Sequence, residues 1–205
     1  MGTWGRVQPD AGLIQIVDAA LAEAVRKSGV HLVCRPGCTA CCIGPFPITQ
    51  LDARRLDTGL KELQSSEPAP AARVRKRARE FLARTCADFP GDPNSGILYD
   101  TPEAEARFET FADDDHCPAL DPKTGRCDMY AWRPITCRTF GPAMKLGGEM
   151  LGICEICYEG ASDEEIAACA VDANFRDLEA ALVRDLEATE GARGETIVAF
   201  ALDRK

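Results

Sequence analysis

Nine of the eleven cysteines in this 205-residue chain fall into two patches, and thiols at that density need an explanation beyond packing: metal ligation, disulfides or redox chemistry. The first patch reads Cys34-Arg35-Pro36-Gly37-Cys38-Thr39-Ala40-Cys41-Cys42, four thiols separated only by small or turn-forming residues. Such spacings let a tight loop, turned by Pro36 and Gly37, bring successive sulfurs toward one point, as zinc knuckles and iron–sulfur loops both do. Cys41 and Cys42 are adjacent, so their side chains are expected to diverge and to reach different atoms of a cluster or different metals. The second patch comprises Cys117-Pro118, then Cys127 after the turn-like Asp121-Pro122-Lys123-Thr124-Gly125, then Cys137, and the pair Cys154-Glu155-Ile156-Cys157. A C-x-x-C is a recurrent metal half-site, and Cys-Pro holds the backbone out of a helix where a ligand must turn inward. The candidate metal ligands are therefore Cys34, Cys38, Cys41, Cys42, Cys117, Cys127, Cys137, Cys154 and Cys157.

Cys86 and Cys169 stand apart, each in a stretch of helical pattern, and buried free cysteine behaves as a small hydrophobe; both read as core residues. His31 and His116 read as solvated loop histidines rather than ligands. The stretch from Met1 to Val30 carries Asp10, Asp18 and Glu23 and builds no continuous apolar run, so it does not read as a secretory signal; Thr196 to Leu202 is too short to span a membrane. A cytoplasmic protein without a membrane segment is expected, and in that reducing compartment clustered cysteines are metallated or catalytic more often than cross-linked. A net charge of −9 with a pI near 4.8 argues against bulk nucleic-acid binding, which needs clustered Lys and Arg to neutralise phosphates. Charge is nonetheless segregated. Arg73, Arg75, Lys76, Arg77, Arg79 and Arg84 form a basic run, and Glu103, Glu105, Glu109 and Asp113 to Asp115 an acidic one. Val74, Ala78, Phe81 and Leu82 keep helical spacing within the basic run, which reads as a solvated helix face, with docking of an acidic protein partner at Arg73–Arg84 as the alternative.

The elements that must position the thiols are mainly helical. Asp10 opens a helix through Leu13, Val17, Leu21 and Val25 that Gly29 stops, and Thr49 with Asp52 forms an acidic variant of a capping box ahead of Leu56 and Leu60. Ser65 to Ala71, with Pro68 and Pro70, reads as a break, and the basic helix follows to about Cys86. Residues 87–135 are dense in Pro, Gly and Asp and predict loops and short extended pieces. Ser162 with Glu165 is a capping box; Ile166, Phe175, Leu178, Leu182 and Leu186 then predict one helix ending near Gly191. Glu195 to Leu202 fits strand and helix equally. The expected architecture is a single mainly α domain over 1–205, in which helices near 10–29, 50–62, 70–85 and 162–190 pack around an irregular, loop-rich cysteine-cluster centre at about 34–157.

Cys34 to Cys42 with its doubled final cysteine, Cys117-Pro118-Ala119-Leu120, and the run Gly125-Arg126-Cys127-Asp128-Met129-Tyr130-Ala131-Trp132-Arg133-Pro134-Ile135-Thr136-Cys137-Arg138-Thr139-Phe140 together resemble the CxxCxxCC cysteine-cluster family, the YkgJ-type proteins described as zinc- or iron-chelating domains. The resemblance implies ligands among Cys34, Cys38, Cys41, Cys42, Cys117, Cys127 and Cys137, with Cys154 in addition. The family opens with two residues between its first cysteines where Cys34 and Cys38 enclose three. A similarity of this family to flagellin lysine methylases implies that some relatives put an iron–sulfur centre to enzymatic use. Arg133 and Arg138 flank Cys137 and are placed either to donate to its sulfur or to pair with the acidic loop at Asp113 to Asp115; Tyr130 and Trp132 are expected to pack over the cluster.

Four thiolates in a tetrahedron suit zinc, while the Cys-x3-Cys-x2-Cys spacing and Cys-Pro favour an iron–sulfur cluster; the sequence leaves both cofactors open. Cys34, Cys38 and Cys41 also match the spacing of radical S-adenosylmethionine enzymes, and Gly147-Gly148-Glu149 is similar to their methionine-binding turn. Against that stand Ala40, where those enzymes place an aromatic, and the lack of alternating strand and helix patterns for a β/α barrel. Three function classes remain: a metal-binding or electron-transfer protein, an iron–sulfur enzyme of redox or methyl-transfer chemistry, and a structural zinc domain for partner docking.

Overall fold

The computed structural model describes residues 10–33, 37–154, 156–172 and 174–204. Its described helices are α1 (Ala11–Ser28), α2 (Gln50–Ser66), α3 (Pro68–Thr85), α4 (Pro102–Phe108), α5 (Ile135–Thr139), α6 (Asp163–Cys169), α7 (Arg176–Glu190) and α8 (Val198–Leu202). The strands are two or three residues each: β1 (Gly91–Asp92), β2 (Ile97–Leu98), β3 (Leu120–Asp121), β4 (Arg126–Cys127), β5 (Met144–Leu146), β6 (Glu149–Met150) and β7 (Val171–Asp172). The fold is mainly α, the described residues form no barrel, and no described helix is long and apolar enough to cross a membrane. The described residues divide into two compact units, one within Met1–Val33 and Arg138–Thr189, the other within Cys34–Cys137 and Glu190–Lys205. The chain enters each unit twice, so no single linker marks the division.

In the second unit α2, α3 and α8 pack on one another. Their apolar faces supply Leu56, Leu60, Val74, Ala78 and Leu202 to one core, at the helical spacing seen in the sequence. The side chain of Thr49 caps α2 by accepting from the Asp52 N–H at 3.2 Å. The expected break at Ser65 to Ala71 shrinks to Glu67, because Pro68 stands in the first turn of α3, where a missing N–H costs no helical hydrogen bond. Ile48 and Thr196 exchange both backbone hydrogen bonds, at 2.8 and 3.0 Å, and that bridge delivers the tail into α8. A second core gathers Phe81, Phe89 and Phe111.

Gly59 lies in the interior of α2 where the indole of Trp132 crosses the helix; a Cβ there would stand 2.1 Å from Trp132 Cγ. Trp132 packs on the same core as Cys117 and Cys127. Gly59→Ala is accordingly expected to cost about 1–3 kcal/mol through overpacking, although alanine is the better helix former. A denaturant midpoint equal to or above that of the parent would show that the indole moves aside freely.

In the first unit α1 packs against α6 and β7, burying Leu13, Val17 and Ala24. Strand β5 pairs antiparallel with β6 across the two-residue turn Gly147-Gly148, both at positive φ, and in parallel with β7. The capping box of Ser162 and Glu165 is formed with both of its hydrogen bonds. The single helix expected from there to Gly191 is instead two, α6 and α7, interrupted by β7: Val171 lies in register with Met144, and sheet pairing overrides the helical periodicity. Leu178 is exposed as a result, while Phe175 and Leu186 are buried.

Candidate metal centre

Among the described residues, six of the candidate thiols lie in the second unit, and main-chain hydrogen bonds knit their segments together. The Cys42 N–H donates to Thr39 O at 2.8 Å, closing a 3-10 turn over Ala40–Cys42. The Cys42 carbonyl accepts from the Cys117 N–H at 2.8 Å, Ile43 bridges His116, and the Gly44 N–H donates to Asp115 O at 2.9 Å. The two cysteine patches thus run antiparallel beside each other where Cys42 meets Cys117. Cys117 leads through Leu120, whose N–H donates to Cys117 O at 3.0 Å, into the β3–β4 hairpin that places Cys127 opposite Leu120. At the hairpin turn Gly125 has φ +66° and comes so close that a Cβ would lie 3.3 Å from Gly37 O. The turn therefore rests on the loop that precedes Cys38. Cys137 rides on α5, whose Ile135 N–H donates at 3.2 Å to the carboxylate of Asp52 on α2.

The thiols sense one another. Burial pushes the Cys137 thiol well above its ordinary value, and the charges of Cys117, Cys127 and Cys41, then of Asp52, push it further. Cys117 is raised from 9.0 to about 12, chiefly by burial and then by the charge of Cys127. Cys127 is raised chiefly by burial, against the favourable charges of Arg133 and Arg77. Cys41 is raised most of all by a hydrogen bond with Cys42, then by burial.

Buried, soft donors that repel one another when ionised fit a cation that prefers thiolate, and Cys41, Cys117, Cys127 and Cys137 are the residues that would hold it. Among the described residues no group of three or more His, Cys, Asp or Glu side chains is already arranged to hold a metal ion. Cys38 is half-buried on the loop beneath the hairpin, and Cys34 lies outside the described residues. The second patch is divided by the structure. Cys154 and Cys157 belong to the first unit, buried at 8 and 4 % exposure in a cluster with Tyr158 and Cys169. There the Tyr158 hydroxyl accepts from the Ala143 N–H at 2.6 Å and stands 2.5 Å from Ser28 Oγ. Cys169 donates its S–H to Lys27 O at 3.4 Å, and Cys169→Ala is expected to leave metal content unchanged. Loss of metal in that variant would enlarge the ligand set.

Several residues around the thiols have other roles than those the sequence suggested. Arg138 pairs with Asp18 at 2.5 Å, and Asp115 pairs with Arg84 at 2.6 Å. Tyr130 is 62 % exposed, with the Arg133 guanidinium 3.9 Å above its ring. His31 stacks on Tyr158, and His116 is exposed. The basic helix is engaged within its own unit: Arg79 pairs with Asp203 and Arg77 with Asp128. Asp52 and Arg77 are the two charged residues whose part in the site the sequence did not disclose; Asp52 read as a helix-cap acid and Arg77 as one member of a basic run, and their partners lie far along the chain.

Raised thiols set the pH response of the metal-free chain. A thiol that titrates higher when folded keeps its proton longer than in the unfolded chain, so the unfolded state binds fewer protons above pH 9.0 and stability falls from there toward about 12. The denaturant midpoint of chelator-treated protein should therefore drop between neutral pH and about pH 10. A midpoint that rises would show that the thiols are not buried in the metal-free state.

One family model, CxxCxxCC, described as "Putative zinc- or iron-chelating domain", matches residues 33–169, which include every cysteine discussed above. A search of curated proteins and one of solved structures each returned no match.

Proposed function

The chain belongs to the CxxCxxCC family, and on that premise we propose that it chelates zinc or iron through Cys34, Cys38, Cys41, Cys42, Cys117, Cys127 and Cys137, with Cys154 and Cys157 as a further half-site. The observation that carries this reading is the backbone register that sets the two patches side by side: the Cys117 N–H donates to Cys42 O at 2.8 Å, and the hairpin that follows places Cys127 opposite Leu120. When bound, zinc or an iron–sulfur cluster supplies the positive charge that keeps such thiols ionised. In its finer form the reading is an iron–sulfur centre, favoured by the Cys34-x3-Cys38-x2-Cys41 spacing and by Cys117-Pro118. The protein would act as a metal-holding or electron-transfer module in a reducing compartment, where such thiols stay available as ligands.

The test is the metal and acid-labile sulfide content of protein purified without air, with its visible absorption. Iron with stoichiometric sulfide and a brown colour supports the cluster. Colourless protein carrying zinc retains chelation and replaces the cluster by a structural site. Protein that binds neither metal after reduction and reconstitution overturns the reading.

A further inference from the structure

Resting on that reading, we propose that Arg77 of α3 is a positioning residue of the metal centre, a single guanidinium that clips together the two segments carrying Cys117 and Cys127. Its Nε donates to Pro118 O at 2.8 Å and its Nη2 to Asp128 Oδ2 at 2.6 Å, so each arm of the fork ends on the residue immediately after one of the two cysteines. The side chains of Arg77 and Asp128 are each 18 % exposed, which shields the pair from the full screening of water. The fork closes a ring that main-chain bonds already begin: Asp128 N–H donates to Ala119 O at 2.9 Å, and Leu120 N–H to Cys117 O at 3.0 Å. Asp128 is thereby fixed twice, through its backbone and through its carboxylate. A lysine at this position has one compact charge and no rigid fork, and would hold one arm at a time.

The consequence is a division of labour between helix and loop. The thiol loops are short and irregular, and α3 is an 18-residue helix anchored in the core through Val74, Ala78 and Phe81, so the fork transfers the rigidity of the helix to both loops. Groups that orient metal ligands without touching the metal typically alter affinity by about 10–100-fold when removed. The guanidinium also adds a cation beside a centre whose ionised thiols are anionic.

The experiment measures zinc affinity by competition with a chromophoric chelator, and the absorption of the cobalt(II)-loaded protein, in Arg77→Met, Arg77→Lys and Asp128→Asn, with Cys117→Ser and Cys127→Ser alongside. Arg77→Met is expected to weaken zinc binding by about 10–100-fold and to shift the sulfur-to-cobalt and ligand-field bands, with Arg77→Lys recovering part of the affinity. Asp128→Asn removes the charge from one arm only and is expected to show a smaller loss in the same direction; it keeps the question answerable if Arg77→Met does not fold. A residue that only supports the fold would lower stability and leave the cobalt bands in place, which overturns the proposal. Unchanged affinity and spectrum in Arg77→Met and Asp128→Asn, with metal lost in the two serine variants, sinks this inference and leaves chelation standing. Full metal retention in Cys117→Ser and Cys127→Ser sinks both.

Discussion

Cys137→Ser is expected to lose bound metal and to lower the stability of the metal-loaded chain, with Cys41→Ser close behind. Burial opposes the ionisation of Cys137, and the charges of Cys117, Cys127 and Cys41 oppose it further, so a bound cation relieves more there than at a thiol standing alone. Serine keeps nearly the same size and a hydrogen-bonding group, so packing around α5 should change little; what disappears is the soft, ionisable donor. Outer-shell changes at metal sites cost about 10–100-fold in affinity, and removal of a ligand itself should exceed that. Because metal binding is coupled to folding of loop-rich sites, the loss should appear twice, in metal content and in the midpoint of unfolding. Cys86→Ser is the matched control: Cys86 follows α3, its sulfur lies 4.0 Å from Pro93 O, and metal content should not change. Equal metal content in Cys137→Ser, Cys41→Ser and Cys86→Ser would refute a centre built from these thiols.

Asp52→Ala is expected to be the most destabilising single substitution of a charged residue, at about 3–5 kcal/mol. Asp52 and Arg55 are 2 and 4 % exposed and form an ion pair one turn apart on α2. The same carboxylate accepts the N–H of Ile135 at the start of α5, so its removal takes a partner from a buried guanidinium and unties the helix that carries Cys137. Asp57→Ala offers the contrast. Asp57 pairs with Lys61 at 2.6 Å on the solvent side of the same helix, with Lys61 64 % exposed, and its loss should cost no more than about 1 kcal/mol. Asp52→Asn keeps an acceptor for Ile135 and is expected to fall between the two. Equal midpoints for Asp52→Ala and Asp57→Ala would show that the buried pair contributes nothing beyond a surface one.

How far such features can be read from residues alone follows from the range over which each signal acts. Helices α1, α2 and α3, the caps at Thr49 and Ser162 and the stop at Gly29 were legible because each depends on side chains within a turn or two of one another. The thiol patches were legible for the same reason: donor type and short spacing are local properties. What the tertiary structure alone decided involves partners far apart in sequence. Val171 pairs with Met144 and breaks the helical pattern that Ile166 to Leu186 would otherwise continue. Cys154 and Cys157 join Cys169 in one unit while Cys117, Cys127 and Cys137 lie in the other, although all five read as one patch. Arg77 and Asp52 are ordinary charged helix residues until their acceptors, Pro118 with Asp128 and the N–H of Ile135, are brought to them across 41 to 83 residues of chain. Local propensity fixes which faces are apolar and where helices start and stop; which buried charge meets which backbone group is set only when those faces have packed, because the cost of burying an unpaired polar group selects among arrangements that hydrophobic spacing leaves equal.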